Sequence, residues 1–361
     1  MPNPKLYIIA GEDSGDLHAA NLVKALRHSV PNLEIRGVGG DQMQNQAVDL
    51  IAHVRDINFM GFLEVVRNLK TIRALFKKVK ADIEAFQPEA IVLVDYPGFN
   101  IRLLPFLRER GIKIIWYISP QVWAWKKGRV KTLRQYVDRM MVILPFEQEF
   151  YHKEGREVDF VGHPLLDAMP QLSVPPSDKK TIALLPGSRK QEITRMLPLM
   201  LEMIPHFPDY HFVIAGAPSQ TADFYQRLIG ERSVELQMNQ TYDLLQAADF
   251  ALVTSGTATL ETALFDTPQV VCYKASPISY AIGKRLVKIR FISLVNLILD
   301  RELVTELIQH DFNPTRLEAE LRAIMGEKRA QELEAGYREL REKLGDGGAS
   351  ERASKIVREF L

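Results

Sequence analysis

One aspartate of this 361-residue chain is well suited to remove a proton from a substrate. The apolar run Ala90–Val94 predicts a strand that is covered on both faces, and Pro97 and Gly98 end it at once. Asp95 therefore lies at the carboxyl end of that strand, where open α/β sheets bind their ligands. An aspartate there is often only a turn former. Because it follows a buried run, we interpret Asp95 as the candidate general base.

A second strand end is suited to binding phosphate. The apolar run Phe250–Val253 stops at Thr254-Ser255-Gly256, and a helical pattern follows. A helix that begins at such a turn presents free N–H groups to anions. Thr257 and Glu261 share one face of this helix, so Glu261 could accept hydrogen bonds from ribose hydroxyls. The alternative is an ordinary strand–helix junction in which Thr257 caps the helix.

Two further loops carry polar or aromatic groups. After the strand Leu6–Ala10, the turn Gly11–Asp16 is rich in acids that could hold a hard cation, although helix capping by Ser14 or Asp16 is the favoured interpretation. Capping is compatible with binding substrate hydroxyls. The tryptophan loop, Ser119–Trp125, holds two of the three tryptophans and precedes several cations, as is typical of a surface for a sugar or acyl group. His163 has no partner in the sequence pattern and is interpreted as structural.

Composition excludes several classes of protein. The chain is 46% hydrophobic and 25% charged, with a formal net charge of +1, which argues against nucleic-acid binding through bulk charge. Its single cysteine, Cys272, excludes an intrachain disulfide and suits a reducing compartment. No apolar run approaches the roughly 20 residues that span a bilayer. We therefore expect a cytoplasmic protein that could still touch a membrane surface.

The order of the predicted elements indicates an α/β protein with two Rossmann-like, doubly wound domains that face each other across a cleft. Each half is an array of strand, turn and helix that opens with a glycine-containing loop. Prolines among polar residues mark a linker. We expect an N-terminal acceptor-side domain over 1–166, a linker over 167–180 and a C-terminal donor-binding domain over 181–344. The last helix, 345–361, is expected to pack back toward the N-terminal domain.

One predicted helix, Phe62–Ile83, has a strongly basic side. Its apolar residues fall on one face and six cations gather on the other. The conservative interpretation is a core helix with a solvated back; the alternative is a helix that rests on an anionic membrane. The segment Lys284–Arg290 is a second basic stretch among apolar residues. The residues expected to touch the membrane are Leu63, Arg67, Lys70, Arg73 and Lys77.

Together these motifs resemble those of lipid-A-disaccharide synthases. The resemblance runs from Leu6 to the last helix, and the tryptophan loop is its most specific part. This sequence departs from the family pattern at Tyr96 and Gly98, and at Val295 where a proline is usual. The matching segments are Gly11–Asp16, Ser119–Val130, Leu185–Arg189 with Glu192-Ile193, Ser255–Glu261, and Tyr273–Pro277 leading to Lys284–Lys288 and Asn296.

The resemblance implies an inverting glycosyltransferase of the GT-B fold. Its expected partners are acylated glucosamine substrates, with UDP-2,3-diacylglucosamine as donor and 2,3-diacylglucosamine 1-phosphate as acceptor. The expected product is the β-1,6-linked disaccharide. No metal or other cofactor is expected, since the UDP-sugar is itself a substrate. We also expect peripheral association with the inner face of the cytoplasmic membrane, no nucleic-acid partner, and possible oligomers.

The site residues that follow fall into two groups beside the catalytic Asp95. The donor site is expected to contain Gly187, Ser188, Arg189, Ser255, Gly256, Thr257, Thr259, Glu261 and Asn296. The acceptor or sugar side is expected to contain Glu12, Ser14, Gly15, Gln121 and Trp123.

Two rival functions remain open. A UDP-sugar 2-epimerase would share the serine–glycine turn and its glutamate, but would need neither the tryptophan loop nor a basic amphipathic helix. A non-catalytic, nucleotide-binding protein at the membrane would not need Asp95 and Arg189. Release of UDP on addition of an acceptor would distinguish a transferase from both.

Overall fold

A computed structural model describes residues 3–57, 69–124, 128–169, 179–286 and 289–361. The chain forms two compact units. Unit 1 consists of Met1–Ala168 together with Leu344–Leu361, and unit 2 is Met169–Lys343. Most of the expected linker, residues 170–178, lies outside the described residues.

Unit 1 is built on a parallel sheet of seven strands in the order β3-β2-β1-β4-β5-β6-β7. Its strands are β1 (Lys5–Ala10), β2 (Glu34–Gly39), β3 (Asp49–His53), β4 (Ala90–Val94), β5 (Lys113–Tyr117), β6 (Arg139–Val142) and β7 (Asp159–Phe160). Its first helices are α1 (Asp13–Ser29), α2 (Asp41–Asn45), α3 (Val54–Ile57), α4 (Leu69–Phe86), α5 (Pro97–Glu109), α6 (Arg129–Tyr136), α7 (Pro145–Lys153) and α8 (Leu165–Ala168).

The central strands β1, from Leu6 onward, and β4 are apolar because both of their faces are buried. Tyr7 and Ile9 of β1 belong to a core that includes Val79 and Ile83 of α4. Leu6 and Ile8 point to the other face, where another core includes residues of α1. Successive side chains of a strand point to opposite faces. The continuous run predicted for a parallel strand therefore fills two cores at once.

Unit 2 has its own parallel sheet of six strands, in the order β10-β9-β8-β11-β12-β13. The strands are β8 (Thr181–Leu185), β9 (His211–Gly216), β10 (Glu235–Met238), β11 (Phe250–Thr254), β12 (Gln269–Tyr273) and β13 (Glu306–Ile308). The helices are α9 (Lys190–Leu201), α10 (Ala222–Ile229), α11 (Thr241–Ala247), α12 (Thr257–Leu264), α13 (Pro277–Leu286), α14 (Leu294–Leu299), α15 (Pro314–Ile324) and α16 (Glu327–Leu344).

The last helix, α17 (Ala349–Arg358), belongs to unit 1. Its buried side chains Ala353 and Val357 join the core beneath α1. Asp167, which the sequence placed in the linker, accepts hydrogen bonds from the backbone N–H groups of Ala349 at 3.2 Å and Ser350 at 2.7 Å. A carboxylate at a helix N-terminus satisfies N–H groups that have no partner within the helix. Asp167 thus fixes the start of α17 within unit 1.

Some expectations about individual elements were wrong. The apolar pattern of Arg139–Pro145 predicts a single strand, but the strand ends at Val142, because Pro145 begins α7. The edge strands β3, β7, β10 and β13 were not predicted. They are short, and three of them are only partly buried or exposed along their length, so their patterns are weak.

Unit 1 contains two buried histidines, His18 on α1 and His163 just before α8. His18 and His163 are 8% and 3% exposed, and burial lowers their pKa values to about 4 and about 3. The ring nitrogen Nδ1 of His163 accepts a hydrogen bond from the Leu165 backbone N–H at 3.2 Å. This contact needs a neutral ring. The histidine read as structural from the sequence is therefore held in its uncharged form.

We predict that this burial makes the protein less stable in mild acid. Below about pH 6.5 the unfolded chain binds protons that the folded histidines do not, so the free energy of unfolding falls with pH toward the lowered pKa values. Each neutral histidine contributes a slope of about 1.4 kcal/mol per pH unit. Urea unfolding of the wild type and of His163→Asn, between pH 7.5 and 5.5, should show a shallower pH dependence for the variant.

The comparison with the variant is needed because buried carboxyls act in the opposite direction. Burial raises the pKa values of Asp95 and Glu147 to about 7, so these groups favour the folded state as pH falls from 7 toward 4. Both carboxyls are present in the two proteins, so their effect cancels in the difference. Equal slopes for the wild type and the variant would contradict the role assigned to His163.

Candidate active site

The candidate base lies where the strand order of unit 1 changes direction. β1 and β4 are neighbours, but the chain proceeds from β1 toward one edge of the sheet and from β4 toward the other. Ligands of open α/β sheets bind at this switch point. Ala10 pairs with Val94, so the loop that begins at Gly11 and the residue Asp95 leave the sheet side by side.

Gly11 is required by the ring of Tyr96. A Cβ atom on Gly11 would lie 2.2 Å from two atoms of that ring. Real Cβ atoms do not approach other atoms this closely, so any side chain here would push the aromatic ring away. The ring of Tyr96 also stacks on Phe99, with 5.7 Å between centroids. Tyr96, a departure from the family pattern, thus packs between Gly11 and Phe99 and against the core of unit 1.

The backbone at Asp95 adopts an unusual conformation. Asp95 and Tyr96 both have left-handed φ angles, 42° and 45°. Such angles are uncommon for residues other than glycine, and they cluster at functional sites. Two hydrogen bonds hold this turn: the Asp95 N–H donates to the Tyr117 carbonyl at 3.0 Å, and the buried Asn100 amide donates to the Asp95 carbonyl at 2.8 Å. The turn sets the direction in which the Asp95 side chain leaves the strand.

The surroundings of Asp95 make it a stronger base than an ordinary carboxylate. Burial raises the pKa of Asp95 to about 7, and the negative charges of Glu12 and Glu147 add to this effect. The Tyr96 backbone N–H acts in the opposite direction. A base is most effective when its pKa lies near the working pH. Asp95 meets this condition near neutrality.

The acidic loop of unit 1 differs in part from its interpretation. Neither Ser14 nor Asp16 caps α1: Glu12 occupies the capping position, without a side-chain hydrogen bond to the helix. Asp16 is buried and holds α2 instead, accepting hydrogen bonds from Gly40 at 2.6 Å and Gln42 at 2.9 Å. That partner is 24 residues away along the chain, which a local capping rule cannot see. Glu12 is half-buried and Ser14 is exposed.

Gly15 lies where α1 meets the sheet. A Cβ atom on Gly15 would make ordinary contacts, 3.6 Å from the Ala10 Cβ and 3.7 Å from Val94. Gly15 is buried between these two strand ends. Its position makes it part of the packing under the loop. No cluster of three metal-ligating side chains occurs among the residues that the structure describes.

The tryptophan loop leaves the next strand, β5. Ile118, the residue just before the loop, has a left-handed φ angle of 65°, which is rare for a β-branched residue. Val122 is buried, Gln121 is exposed, and the half-buried Trp123 ring meets Phe146 edge-on at 5.0 Å. Residues 125–127, with the second tryptophan, lie outside the described residues.

Unit 2 has a corresponding switch point between β8 and β11. The turn after β8 needs glycine, because Gly187 has a φ angle of 109° and a Cβ there would lie 2.9 Å from the Glu192 carboxylate. Ser188 is exposed, and its carbonyl accepts a hydrogen bond from Ser219 at 2.6 Å. Arg189 is about half exposed and donates to Glu192 at 2.9 Å. This contact holds the guanidinium near the carboxyl end of β8.

The turn after β11 opens α12. Gly256 is its capping residue, with a φ angle of 152° and no side-chain cap, so Thr257 does not cap the helix. Thr257 is exposed at the first position, and Ser255 donates to the Ile292 carbonyl at 2.9 Å. The first turn of α12 therefore keeps an uncapped N-terminus of the kind that binds anions.

Glu261 lies one turn further into α12. Burial raises its pKa, and the Tyr242 hydroxyl, which donates to one carboxylate oxygen at 3.2 Å, acts in the opposite direction. Tyr242 comes from α11 and was not anticipated. Its hydroxyl fixes one oxygen of Glu261.

Thr259 and Asn296, both expected in the donor site, are buried inside unit 2 and have partners within the protein. Thr259 is fully buried, and its hydroxyl donates to the Gly256 carbonyl at 2.8 Å, so it supports the turn from within. Asn296 is also fully buried. Its amide donates to Val304 and Glu306 at 2.8 and 2.9 Å, and its oxygen accepts from the N–H groups of residues 303 and 304. These four hydrogen bonds match the donors and the acceptor of the amide inside unit 2, so in this structure Asn296 supports the segment that precedes β13.

Comparison with known proteins places the whole chain in one family. A family model described as lipid-A-disaccharide synthetase matches residues 6–360. The chain belongs to the lipid-A-disaccharide synthase family. The lipid-A-disaccharide synthase of Syntrophus aciditrophicus (strain SB) is 42% identical, with 99% of this chain and 98% of that protein covered. The enzyme of that name from Geobacter sulfurreducens is 37% identical over 99% of this chain and 97% of its own length.

Solved structures confirm the GT-B type of fold. The glycosyltransferase of kitacinnamycin has a TM-score of 0.66 at 14% identity, with all of both chains covered. A UDP-GlcNAc 2-epimerase from Neisseria meningitidis, bound to UDP-GlcNAc, has a TM-score of 0.66 at 12% identity and covers 98% of this chain and 100% of its own. At this level of identity the likeness concerns the fold alone. Membership of the synthase family, a family of glycosyltransferases, favours the transferase over the epimerase.

Glu147 is, with Tyr242, a residue of the candidate site that sequence reasoning missed. It lies in the first turn of α7, is 1% exposed, and raises the pKa of Asp95 through its charge. A proline in the first helical position followed two residues later by glutamate is a recognisable helix start. That signal, at Pro145 and Glu147, indicates that β6 ends before Pro145 and that an acid lies just beyond its carboxyl end.

Proposed function

We propose that this member of the family transfers the sugar of UDP-2,3-diacylglucosamine to the 6-hydroxyl of 2,3-diacylglucosamine 1-phosphate. The hydroxyl oxygen attacks the anomeric carbon, the bond from that carbon to the UDP oxygen breaks, and the configuration inverts. The products are the β-1,6-linked disaccharide 1-phosphate and UDP. The observation that carries the proposal is a carboxylate with a pKa near 7 at the switch point of unit 1, in a chain of this family.

Asp95 is assigned the proton in this reaction. The acceptor hydroxyl must lose its proton as the new bond forms, and a positioned carboxylate can take it. Burial and the nearby acids raise the affinity of Asp95 for the proton, and above its pKa of about 7 most of the side chain is still the carboxylate that can accept one. Gln121, Trp123, Glu12, Ser14 and Gly15 are proposed to line the acceptor side.

The donor is assigned to unit 2. The leaving UDP gains negative charge, which calls for fixed positive charge and N–H donors. Arg189, Ser188 and the two glycine turns at Gly187 and Gly256 supply these groups at the switch point. Glu261 is proposed to accept from the ribose hydroxyls. The reaction is proposed to need no metal or other cofactor, so turnover should be unchanged by EDTA.

Contact with an anionic membrane surface is proposed for α4. Lys70, Arg73 and Lys77 are exposed on this helix and make no ion pair with any residue in the described ranges. Leu75 and Val79 on the other side are buried in the core, so the core claims the described part of the apolar stripe. Leu63 and Arg67, also expected to touch the membrane, lie outside the described residues. No helix among the described residues is long and apolar enough to cross a membrane.

We predict that Asp95→Asn lowers turnover by about 10²–10⁴-fold, the usual effect of losing a general base. Asparagine tolerates the left-handed backbone and keeps the side-chain shape, but it cannot accept the proton. UDP release on addition of both sugars measures turnover, and calorimetry should show unchanged UDP affinity. For the wild type, kcat/KM should rise with pH to half its maximum near pH 7, because only the carboxylate is active. Near-normal turnover of the variant would show that Asp95 is merely a turn former.

We predict that Arg189→Ala and Glu261→Ala weaken UDP binding by roughly 10–100-fold, since a hydrogen bond to a charged group contributes about 1.5–3 kcal/mol. Isothermal calorimetry with UDP measures this. Arg227→Ala removes an exposed arginine elsewhere on unit 2 and should have no effect. Unchanged UDP affinity in both variants would show that the donor site does not lie at the carboxyl ends of β8 and β11.

We predict that reversing Lys70, Arg73 and Lys77 to Glu reduces flotation with phosphatidylglycerol-containing vesicles. Each cation near an anionic bilayer contributes about 1 kcal/mol, and high salt should weaken binding by screening. Reversing Arg227, Arg232 and Lys328, all exposed on unit 2, is the matched control. If the α4 variant floats like the wild type, α4 is not the contact, and the basic stretch Lys284–Arg290 is tested next.

A further inference from the structure

Glu147 is a carboxylate buried almost completely beside the candidate base. It is 1% exposed, and one of its oxygens accepts hydrogen bonds from the backbone N–H groups of Leu144 at 3.0 Å and Ile143 at 3.2 Å. These contacts hold the chain where β6 ends and α7 begins. A buried charge without compensating partners is strongly destabilising. A cap could be made by an exposed residue, so the complete burial of this one calls for a further reason.

The partners of Glu147 include the tryptophan loop. The Ser119 hydroxyl and the Trp123 indole N–H lower the pKa of the Glu147 carboxyl, against the larger effect of burial, which raises it to about 7. The Trp123 indole N–H is buried without a hydrogen-bond partner among the described residues, and the Ser119 hydroxyl donates to the Pro120 carbonyl at 3.1 Å. The Ser119 hydroxyl also lies 2.7 Å from the Tyr151 hydroxyl on α7, and Phe146 packs on the Trp123 ring. The helix α7, whose start Glu147 holds, therefore contacts the loop that follows β5 through Phe146 and Tyr151.

Glu147 also acts on Asp95 through space. The groups that influence the Asp95 carboxyl are Glu12 from the loop after β1, Glu147 from α7, and the neighbouring Tyr96 N–H. The strand β4 pairs with β5, and the Asp95 N–H donates to Tyr117, two residues before Ser119. The base, the tryptophan loop and Glu147 are thus parts of one connected arrangement at adjacent strand ends.

We infer that Glu147 is a positioning residue, which ties the tryptophan loop to the ends of β5 and β6 and presents a negative charge to Asp95. The inference rests on the proposed role of Asp95 as the base. It assigns Glu147 two separable tasks, one mechanical and one electrostatic. It does not require Glu147 to touch either substrate.

The electrostatic task is tested with Glu147→Gln. Glutamine keeps the length of the side chain and an oxygen that can accept the backbone hydrogen bonds, but it lacks the charge. Without that charge Asp95 should ionise more easily. The rising part of the plot of kcat/KM against pH, here called the acid limb, should therefore shift to lower pH, by roughly half to one pH unit for a nearby like charge. Glu149→Gln, an exposed glutamate on the same helix paired with Lys153, is the matched control and should leave the limb in place.

The mechanical task is tested with Ser119→Ala. This change removes the hydroxyl contact to Tyr151 on α7, together with the effect of that hydroxyl on the pKa of Glu147, but leaves the charge of Glu147. The KM for the acceptor should rise several-fold, while the acid limb and the calorimetric affinity for UDP stay as in the wild type. Circular dichroism and the thermal midpoint check that each variant is folded. If Glu147→Gln does not fold, Glu147→Asp replaces it: a retained charge on a shorter side chain predicts a raised acceptor KM with an unshifted limb.

The outcomes separate this inference from the proposed function. If Asp95→Asn is inactive while Glu147→Gln keeps the wild-type limb and Ser119→Ala keeps the wild-type acceptor KM, Glu147 is only a helix cap and the inference is wrong. If Asp95→Asn retains turnover, the proposed base fails, whatever the Glu147 variants show. A shifted limb in Glu147→Gln with a raised acceptor KM in Ser119→Ala would support both tasks.

Discussion

A parallel strand buried on both faces can do chemistry only at its ends, and this constraint organises both units. Every side chain of β4, and of β1 from Leu6 to Ala10, belongs to one of two cores, and β8 and β11 are also largely buried. Polar groups that face a ligand must therefore lie in the turns that follow these strands. The change of direction in strand order separates those turns and leaves space between them. Asp95 and Gly256 are found at such turns for the same reason.

The part of the site that sequence could predict is the part that local patterns determine. An apolar run followed at once by proline or glycine identifies a strand end, and this was sufficient to locate Asp95, Gly187 and Gly256. Thr259 and Asn296 look like site residues by the same rule, but their partners are supplied by the folded chain: the Thr259 hydroxyl also accepts from Leu294, and Asn296 binds the segment beside β13. Sequence shows a polar group in an apolar run, but it does not show whether the group's partner is a ligand or the protein.

Long-range hydrogen bonds explain the other errors. Asp16 was expected to cap its own helix, but it holds α2, and Asp167 was expected in a linker, but it holds α17, more than 180 residues away. In each case a carboxylate caps a helix, as the residue type suggests. The chemistry was predictable, and the partner was not. Burial, too, depends on contacts between distant parts of the chain. The pKa of Glu147 is raised because elements that meet only after folding exclude water from it.

In the proposed reaction, the two units provide opposite electrostatic environments for the base and for the leaving group. In unit 1, burial and the negative charges of Glu12 and Glu147 raise the pKa of Asp95 to about 7, which suits a base that works at neutral pH. In unit 2 the turns present backbone N–H groups and Arg189, which suit an anion that leaves. A cation beside Asp95 would lower its pKa and weaken the base, and an acid beside the diphosphate would repel it. Placing the two functions on separate sheets lets each environment be tuned without weakening the other.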